Sequence, residues 1–338
     1  MNILVIGSGA IGSVAAGILS KMGFDVDIAC KNRELSDHIN TDGLIYKIKK
    51  RKYIHFVPAY PNVTSTPGNY DYVLLATKSF DIEDPARDVL SKLSNSGVIV
   101  SLQDGYCEDE LSRIAGTNRI VGAVISWGAT MNEHGYAEMT SPGEMIIGKM
   151  DGSDDPRLDN LQYILSSIGP TMVVKNIGEH IYSKLIINSC ITTLGAISGL
   201  KVGALMTDRN LRNLFIKIIQ EAISVADALN MEIPEFAGRI NYYRLVKGNT
   251  WYHRLKRHAF IRVLGIKYRK IKSSGLQSLE RNERTEIAFM NGFLVNKGKE
   301  LGLELPINER LVEMVHEIEN QQRKISTENL NDPLFRLS

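Results

Sequence analysis

One predicted helix, residues 181–192, carries a polar stripe whose residue types could perform acid–base chemistry. Lys184, Asn188 and Thr192 are spaced i, i+4 and i+8, so they share one face of a helix that is otherwise mostly apolar. Unpaired buried polar groups cost about 1–3 kcal/mol each, so such a stripe needs partners. A lysine that faces a cleft can protonate and electrostatically stabilise an oxygen that gains negative charge. We interpret Lys184 as that acid; a solvated surface lysine is the alternative.

A second group of polar residues lies nearer the carboxyl end of the chain, at 281–291. Within it, Glu286 could hydrogen-bond a substrate hydroxyl or hold Lys184 in place. Upstream, Ser273 and Ser274 stand where a hydroxyl either caps a helix or binds a carboxylate, and capping is the default expectation.

The elements that position these groups begin at residue 2, where an apolar strand leads into a glycine-rich loop and an apolar helix. The order strand, G-x-G-x-x-G, helix is the dinucleotide-binding arrangement. The first glycine permits the tight turn, the second lets the backbone approach a pyrophosphate, and the third lets the helix pack on the strand. The N–H groups at the helix start then face the phosphates. The predicted cofactor-binding loop consists of Gly7, Ser8, Gly9, Ala10, Ile11 and Gly12.

The second strand, predicted over residues 24–30, should end near the adenine ribose. An NAD enzyme places an acidic residue there, whereas this chain has Lys31 and Arg33. Two cations suit a 2′-phosphate, which favours NADPH. The alternative is a strand that ends earlier, which would make Asp27 the ribose ligand.

Two further strand ends are expected to line the ligand crevice of an open α/β sheet. Thr77-Lys78 follows one buried strand and Gln103-Asp104-Gly105 follows the next. Lys78 could contact a cofactor phosphate, Gln103 belongs to the same predicted site, and Asp104 would lie near the nicotinamide.

The order of predicted elements indicates two domains in the 338-residue chain. Apolar runs alternate with helices up to about residue 175, which predicts an α/β fold with an N-terminal Rossmann-like, doubly wound parallel sheet. Residues 127–148 are expected to form antiparallel edge strands, with turns at 133–135 and 141–143. From about residue 180 the pattern is helical, so we predict a Rossmann-like domain at 1–176 and an all-α domain at 177–338.

A basic insertion interrupts the helical domain at residues 236–279, which contain eleven Lys or Arg and no acidic residue. Aromatic residues are interleaved with the cations. We expect a helical insertion that packs on its domain with solvated charges. Binding to an anionic membrane surface or to nucleic acid is the alternative.

Composition restricts the remaining classes of function. The net charge of +2 indicates no nucleic-acid partner, and no apolar run reaches membrane-spanning length. Cys30, Cys107 and Cys190 form no metal or redox motif and indicate a reducing compartment. A strand that starts at residue 2 leaves no room for a signal peptide, so we expect a cytoplasmic protein without a metal. An all-helical second domain with an aromatic insertion makes a homodimer our expectation for the assembly.

These motifs together resemble the ketopantoate reductase (2-dehydropantoate 2-reductase) family over nearly the whole chain, and the segment 273–293 with its Arg-Thr-Glu-Ile…Asn-Gly core is the most specific. The resemblance implies NADPH-dependent reduction of a 2-oxo acid at the domain cleft, in pantothenate biosynthesis. It also implies that Lys184 is the general acid towards the ketone oxygen, that Glu286 and Ser274 contact substrate, and that Asn188 lines the same pocket.

Two positions depart from the family pattern. The family usually has Asn where this chain has Asp104, and a second Asn where it has Thr192. An added carboxylate repels a 2-oxo acid unless it is paired or protonated. A reductase of a different keto or imino acid is therefore one alternative, and a non-catalytic nucleotide-sensing or anionic-surface-binding module is another.

Overall fold

The computed structural model describes residues 1–133, 136–248, 250–267, 269 and 271–336. They form two compact units, unit 1 from Met1 to Ile181 and unit 2 from Tyr182 to Ser338. The predicted boundary near residue 176 stays a prediction. Parts of two sequence predictions lie outside the described residues: His134 and Gly135 of one turn, and Tyr268 and Lys270 of the basic insertion.

Unit 1 contains all the named strands and alternates them with helices in its first half, as the apolar runs predict. The strands are β1 Asn2–Ile6, β2 Asp25–Ala29, β3 Leu44–Ile48, β4 Arg51–His55, β5 Ala59–Tyr60, β6 Tyr70–Leu75, β7 Leu93–Ser101, β8 Ile120–Ile125, β9 Gly128–Glu133, β10 Tyr136–Ser141, β11 Met145–Lys149 and β12 Thr171–Val173. The helices are α1 Ala10–Lys21, α2 Arg33–Asp42, α3 Glu83–Asp88, α4 Glu108–Ala115 and α5 Arg157–Ser166, with 3-10 turns at Val89–Lys92 and Thr117–Arg119.

The main sheet has eight strands in the order β12-β11-β8-β7-β6-β1-β2-β5. Its pairs are parallel except that of β8 with β11. Its central strands are apolar on both faces because helices cover both, and Val73, Leu74 and Leu75 of β6 are 0% exposed. The predicted Rossmann-like sheet is confirmed.

The prediction for residues 127–148 was wrong in one respect. Only β11 borders the main sheet, while β9 and β10 form a hairpin in a separate four-stranded sheet of order β4-β3-β10-β9. This sheet covers α1, and Gly17 makes the close approach possible because a Cβ there would lie 2.4 Å from the ring of Tyr46. The apolar outer face of α1 therefore has a second sheet to pack against, which local alternation of residues does not reveal.

Unit 2 is helical, as predicted. Helix α6, Ile177–Ser198, continues into it from unit 1, and an isolated bridge joins Phe236 to Ile240. Among the described residues, no helix has the length and apolar character needed to cross a membrane. The remaining helices are α7 Val202–Thr207, α8 Arg209–Ala228, α9 Tyr242–Val246, α10 Trp251–Lys267, α11 Ser274–Glu280, α12 Asn291–Glu300, α13 Pro306–Glu319 and α14 Pro333–Arg336, with 3-10 turns at Ile287–Phe289 and Thr327–Asn331.

Candidate active site

The glycine-rich loop joins β1 to α1. At two of its positions, backbone conformation and close contacts within the protein require glycine. Gly7 has φ 104°, a conformation that favours glycine, and a Cβ there would lie 2.9 Å from the carbonyl oxygen of Ala76. A Cβ on Gly12 would lie 1.9 Å from the carbonyl oxygen of Gly7. The hydroxyl of Ser13 closes the loop by donating to the carbonyl of Ser8 at 3.0 Å.

Gly9 differs from these two glycines. It is the N-cap of α1 with an ordinary φ of −70°, and a Cβ there would meet no atom within 4 Å. No contact in the part of the chain that the structure describes therefore requires glycine at residue 9. Open space in front of unpaired N–H groups at a helix start is what a phosphate-binding loop needs, so the loop fits a dinucleotide. Ala10 and Ile11, the first residues of α1, are partly exposed at this end.

The second strand ends beside this loop. β2 ends at Ala29. Burial raises the pKa of the Cys30 thiol, the next residue, above its usual value, and a hydrogen bond with Ser8 offsets part of that rise. Lys31 and Arg33 follow and are exposed, with Arg33 opening α2. Asp27 lies inside β2, where its carboxylate accepts a hydrogen bond from the Tyr70 hydroxyl at 2.5 Å.

The loops after β6 and β7 are joined by hydrogen bonds from the side chains of Gln103 and Ser79. The amide nitrogen of Gln103 donates to the carbonyl oxygens of Thr77 at 3.2 Å and of Lys78 at 3.1 Å. Its amide oxygen is buried and has no hydrogen-bond partner among the described residues, so it is available to a ligand donor. Lys78 and Asp104 are partly exposed, and the Asp104 carbonyl accepts from the Ser79 hydroxyl. The structure thus gathers the predicted cofactor residues at the carboxyl edge of the sheet.

Sequence reasoning missed Glu108, which opens α4 just after this turn. Its side chain is 2% exposed, and one carboxylate oxygen accepts from the Cys107 N–H at 3.0 Å. Burial raises its pKa to about 7, Asp109 adds to the rise, and backbone N–H groups and the Ser101 hydroxyl oppose it. The run Glu108-Asp109-Glu110 is typical of a solvated first helical turn, so no signal in the sequence distinguishes the buried member.

In unit 2, α6 presents a narrow accessible strip. Between Ile181 and Ser198 every residue is buried except Lys184, Asn188 and Ile191, which are partly exposed. The predicted face is therefore present, and Lys184 and Asn188 lie one turn apart on it. Thr192 departs from this pattern because it is only 8% exposed.

Three hydrogen bonds fix the helix immediately before Lys184. The Tyr182 hydroxyl donates to the Ala222 carbonyl at 2.6 Å, and the Ser183 hydroxyl donates to the Pro234 carbonyl at 2.9 Å. The hydroxyl of Tyr242 donates to the Ser183 carbonyl at 2.6 Å. Burial raises the pKa of Tyr242 well above its usual value, so this phenol stays a donor.

Thr192, the start of α11 and the residues on either side of Glu286 line a small cavity. Its lining includes Thr192, Gly275, Thr285 and Ile287. Ser273 is the cap, because its hydroxyl accepts from the Leu276 N–H and donates to the Thr192 carbonyl, both at 3.3 Å. Ser274, the first residue of α11, is partly exposed and does not carry the cap.

Glu286 follows a residue, Thr285, that hydrogen bonds fix in place. The N–H and the hydroxyl of Thr285 both donate to the same carboxylate oxygen of Glu319, each at 2.7 Å. Glu286 itself is 6% exposed. Within the Arg-Thr-Glu-Ile motif, Thr285 therefore makes structural contacts.

Asn291 also has a structural position that the sequence did not indicate. It is fully buried, accepts from Thr193 at 2.6 Å, and donates to the Ser189 carbonyl and to Asn308. Asn308 in turn donates to Glu221 at 2.7 Å. This network ties α12 to the same turns of α6 that carry the accessible strip. Among the described residues, no cluster of three or more His, Cys, Asp or Glu could hold a metal ion.

Comparison with known proteins agrees with this architecture. The family model "Ketopantoate reductase PanE/ApbA" matches residues 3–152, and "Ketopantoate reductase PanE/ApbA C terminal" matches residues 176–319. The chain therefore belongs to the ketopantoate reductase family and is an oxidoreductase.

Individual relatives are distant but cover the whole fold. The chain is 27% identical to 2-dehydropantoate 2-reductase of Pyrococcus horikoshii over 313 residues, 91% of this chain and 94% of that one. It is 24% identical to the protein of that name from Archaeoglobus fulgidus, over 94% of this chain and 98% of that one.

Solved structures give the same result. A ketopantoate reductase from Ralstonia eutropha JMP134 superposes with a TM-score of 0.80 at 25% identity, covering 95% of this chain and 99% of that one. D-mandelate dehydrogenase with NADH and anilino(oxo)acetate superposes with a TM-score of 0.82 at 20% identity and the same coverage, which shows a shared fold.

Proposed function

We propose that the protein is an NADPH-dependent reductase of a 2-oxo acid, with 2-dehydropantoate as substrate and pantoate as product. The observation that carries the proposal is the accessible strip on α6, where a lysine and an asparagine interrupt a helix that is otherwise buried from residue 181 to 198 apart from Ile191. A lysine held at such a position by its buried neighbours is suited to proton transfer. Membership of the ketopantoate reductase family supports this assignment.

Each residue of the proposed site would have a separate role. NADPH, when bound, supplies a hydride to the ketone carbon. Lys184 gives its proton to the ketone oxygen, so the 2-oxo acid gains one hydride and one proton and becomes a 2-hydroxy acid. Glu286 and Ser274 contact the substrate, and Asn188 orients it. Thr192, with its side chain at the cavity next to the Glu286 segment, shapes the pocket wall.

Cofactor choice would be set at the end of β2. The loop from Gly7 to Gly12 binds the pyrophosphate, while Lys31 and Arg33 bind the 2′-phosphate by charge-assisted hydrogen bonds. The bond from Asp27 to Tyr70 supports this choice over the alternative, in which Asp27 binds the ribose. NADH bound to D-mandelate dehydrogenase keeps that alternative worth testing.

The double change Lys31→Ala with Arg33→Ala tests the cofactor assignment. Each lost charged hydrogen bond should cost about 1.5–3 kcal/mol, which is about one to two decades in affinity for NADPH. NADH affinity should stay unchanged, and Lys50→Ala with Arg51→Ala, an exposed basic pair where the β3–β4 turn meets the start of β4, is the control. A wild-type protein that prefers NADH would instead assign the ribose to Asp27.

A second substrate class is favoured by Asp104, whose partly exposed position follows β7. A carboxylate at that turn would disfavour an anionic substrate and favour a protonated imine, and its different shape from asparagine would alter which keto acid fits. Measuring kcat/KM for 2-dehydropantoate, phenyl-substituted 2-oxo acids and cyclic imines separates the two. The first proposal requires 2-dehydropantoate to be the best substrate by at least tenfold. NADPH binding without turnover of any of them would indicate a nucleotide-sensing protein.

Compartment and assembly are part of the proposal. None of the three cysteines forms a disulfide, and all three are buried, which supports a reducing, cytoplasmic location. A homodimer is expected, and light scattering of the purified protein measures it.

A further inference from the structure

The outer face of α10 is apolar although the helix is already packed on its inner face. Ile261 is 3% exposed and Gly265 is buried, with Gly265 so close to α7 that a Cβ would lie 2.6 Å from the Cβ of Met206. Arg257, also buried, donates to the carbonyls of Leu245 and Gly248. The inner face of α10 is thus already packed, and the outer apolar face is not a core face left uncovered.

The outer face carries a stripe of exposed, mostly large apolar side chains, with Trp251 beside it at the start of the helix. Trp251 is 76% exposed, Leu255 60%, Val263 64% and Ile266 66%. At about 100° per residue, the exposed residues from Leu255 through Ile266, Ala259 and Tyr252 to Val263 occupy an arc of about 80°. Isolated exposed apolar residues are common, but a stripe along four turns of one helix marks a binding surface.

Cations border this stripe on both sides. Arg262 lies about 20° beyond Leu255, and Lys256 lies about 20° beyond Val263, on the same helical geometry. Arg254, Lys256 and Arg262 are exposed, and residues 236–279 offer them no acidic partner. The local field is positive: burial lowers the pKa of His258, and four arginines, among them Arg212 and Arg254, lower it further.

We propose that α10 binds the surface of an anionic phospholipid bilayer. An apolar stripe flanked by Lys and Arg, with Trp and Tyr at one end, is the pattern of a helix that lies in the membrane interface. The stripe enters the acyl boundary while Lys256 and Arg262 reach the phosphates on either side. The cytoplasmic leaflet, which is anionic, presents this chemistry to a cytoplasmic enzyme.

Other partners match the surface less well. A face that binds nucleic acid would have cations at its centre, whereas aliphatic side chains occupy the centre of this face. A second copy of the chain packed through α10 would bring two basic helices together. A bilayer is the partner that uses both the stripe and its two borders.

Vesicle flotation tests the proposal with the full-length protein. Wild type should float with vesicles of phosphatidylcholine and phosphatidylglycerol, should float at least tenfold less with phosphatidylcholine alone, and should lose binding as salt rises. Leu255→Ser with Val263→Ser should weaken binding at least tenfold, and Lys256→Gln with Arg262→Gln should do the same. Phe56→Ser, an exposed aromatic of unit 1, is the matched apolar control, and Lys50→Gln with Arg51→Gln is the charge control.

The variants alter exposed side chains, and circular dichroism with thermal melting verifies that they fold. Equal flotation with both vesicle types, no flotation of the wild type, or flotation that the α10 variants leave unchanged would overturn the proposal. Tighter binding to duplex DNA than to anionic vesicles would overturn it in favour of nucleic acid. A dimer that dissociates in the stripe variants, with no vesicle binding, would assign the face to a second copy.

Discussion

The start of α1 in unit 1 and the middle of α6 in unit 2 both make polar groups accessible, but the groups are of different kinds. At α1 the groups are backbone N–H donors, and the glycines at residues 7, 9 and 12 give them their geometry within one loop. At α6 they are side chains, and their geometry depends on residues far away in the sequence: Tyr242 bonds to Ser183, and Asn291 bonds to Ser189.

This difference predicts where each region is vulnerable. Substitutions in the glycine loop act locally, through steric clash or loss of ligand space. In α6, we expect that the Lys184 side chain can be removed with little loss of stability, whereas loss of a distant partner such as Tyr242 should affect stability and activity together. Variants that separate stability from activity therefore test the difference between the two regions.

Lys184→Ala should lower kcat by about 10²-fold or more, the usual scale for loss of a general acid. Because Lys184 is partly exposed, the free energy of unfolding should change little. Steady-state kinetics and urea denaturation measure the two effects, and Lys201→Ala, an exposed lysine beyond the end of α6, is the control. An unchanged kcat would remove Lys184 from the mechanism.

Gly12→Ala and Gly9→Ala should have opposite phenotypes. At Gly12 a Cβ would lie 1.9 Å from a backbone oxygen, so the variant should lose about 3 kcal/mol of unfolding free energy. At Gly9 a Cβ meets nothing within 4 Å, so stability should stay within about 0.5 kcal/mol while NADPH affinity falls. Urea denaturation and fluorescence titration with NADPH measure these quantities. Equal destabilisation by both changes would contradict the distinction.

Glu108→Gln should stabilise the protein in a pH-dependent way. The folded-state pKa of about 7 lies above the usual 4.5, so the favourable contribution of Glu108 is complete below about pH 4.5 and is lost as the pH rises through about 7. The neutral glutamine avoids that loss. Its advantage should reach up to about 3 kcal/mol at about pH 8 and shrink towards zero near pH 4.5. Thermal melts across this range measure it, with Glu110→Gln as the control; an advantage independent of pH would be inconsistent with a buried carboxylate.

Tyr242→Phe should have the smallest effect. It removes one hydrogen bond to the Ser183 carbonyl, so we expect a loss of about 1 kcal/mol in unfolding free energy and a modest fall in kcat. Tyr243→Phe is the matched control, because its hydroxyl donates to Asp227 at 3.3 Å in an exposed position. If the two variants behave alike, the anchoring of α6 by Tyr242 does not reach Lys184.

The sequence predicts the parts of this protein whose determinants are local. The run Asn2–Ile6 followed by the glycine loop predicts a nucleotide site, and apolar runs predict the main sheet, which the structure contains. The polar spacing along α6 is also visible, because one helix face is a local property. The second sheet is not visible in the sequence, because the pairing of β3 with β10 joins segments about ninety residues apart. For the same reason the burial of Thr192 and Glu108 could not be read from their neighbours.

Transfer of a labelled hydride tests the central proposal most directly. The wild-type protein is mixed with one equivalent of NADPH, deuterated at the transferable position of the nicotinamide, and with 2-dehydropantoate, and the product is analysed by mass spectrometry. The expected result is one deuterium at the former ketone carbon of pantoate for each NADPH oxidised, with the reaction slowed about 10²-fold or more in Lys184→Ala. Oxidation of NADPH without deuterium in the product, or no oxidation with this substrate, would contradict the proposed reaction.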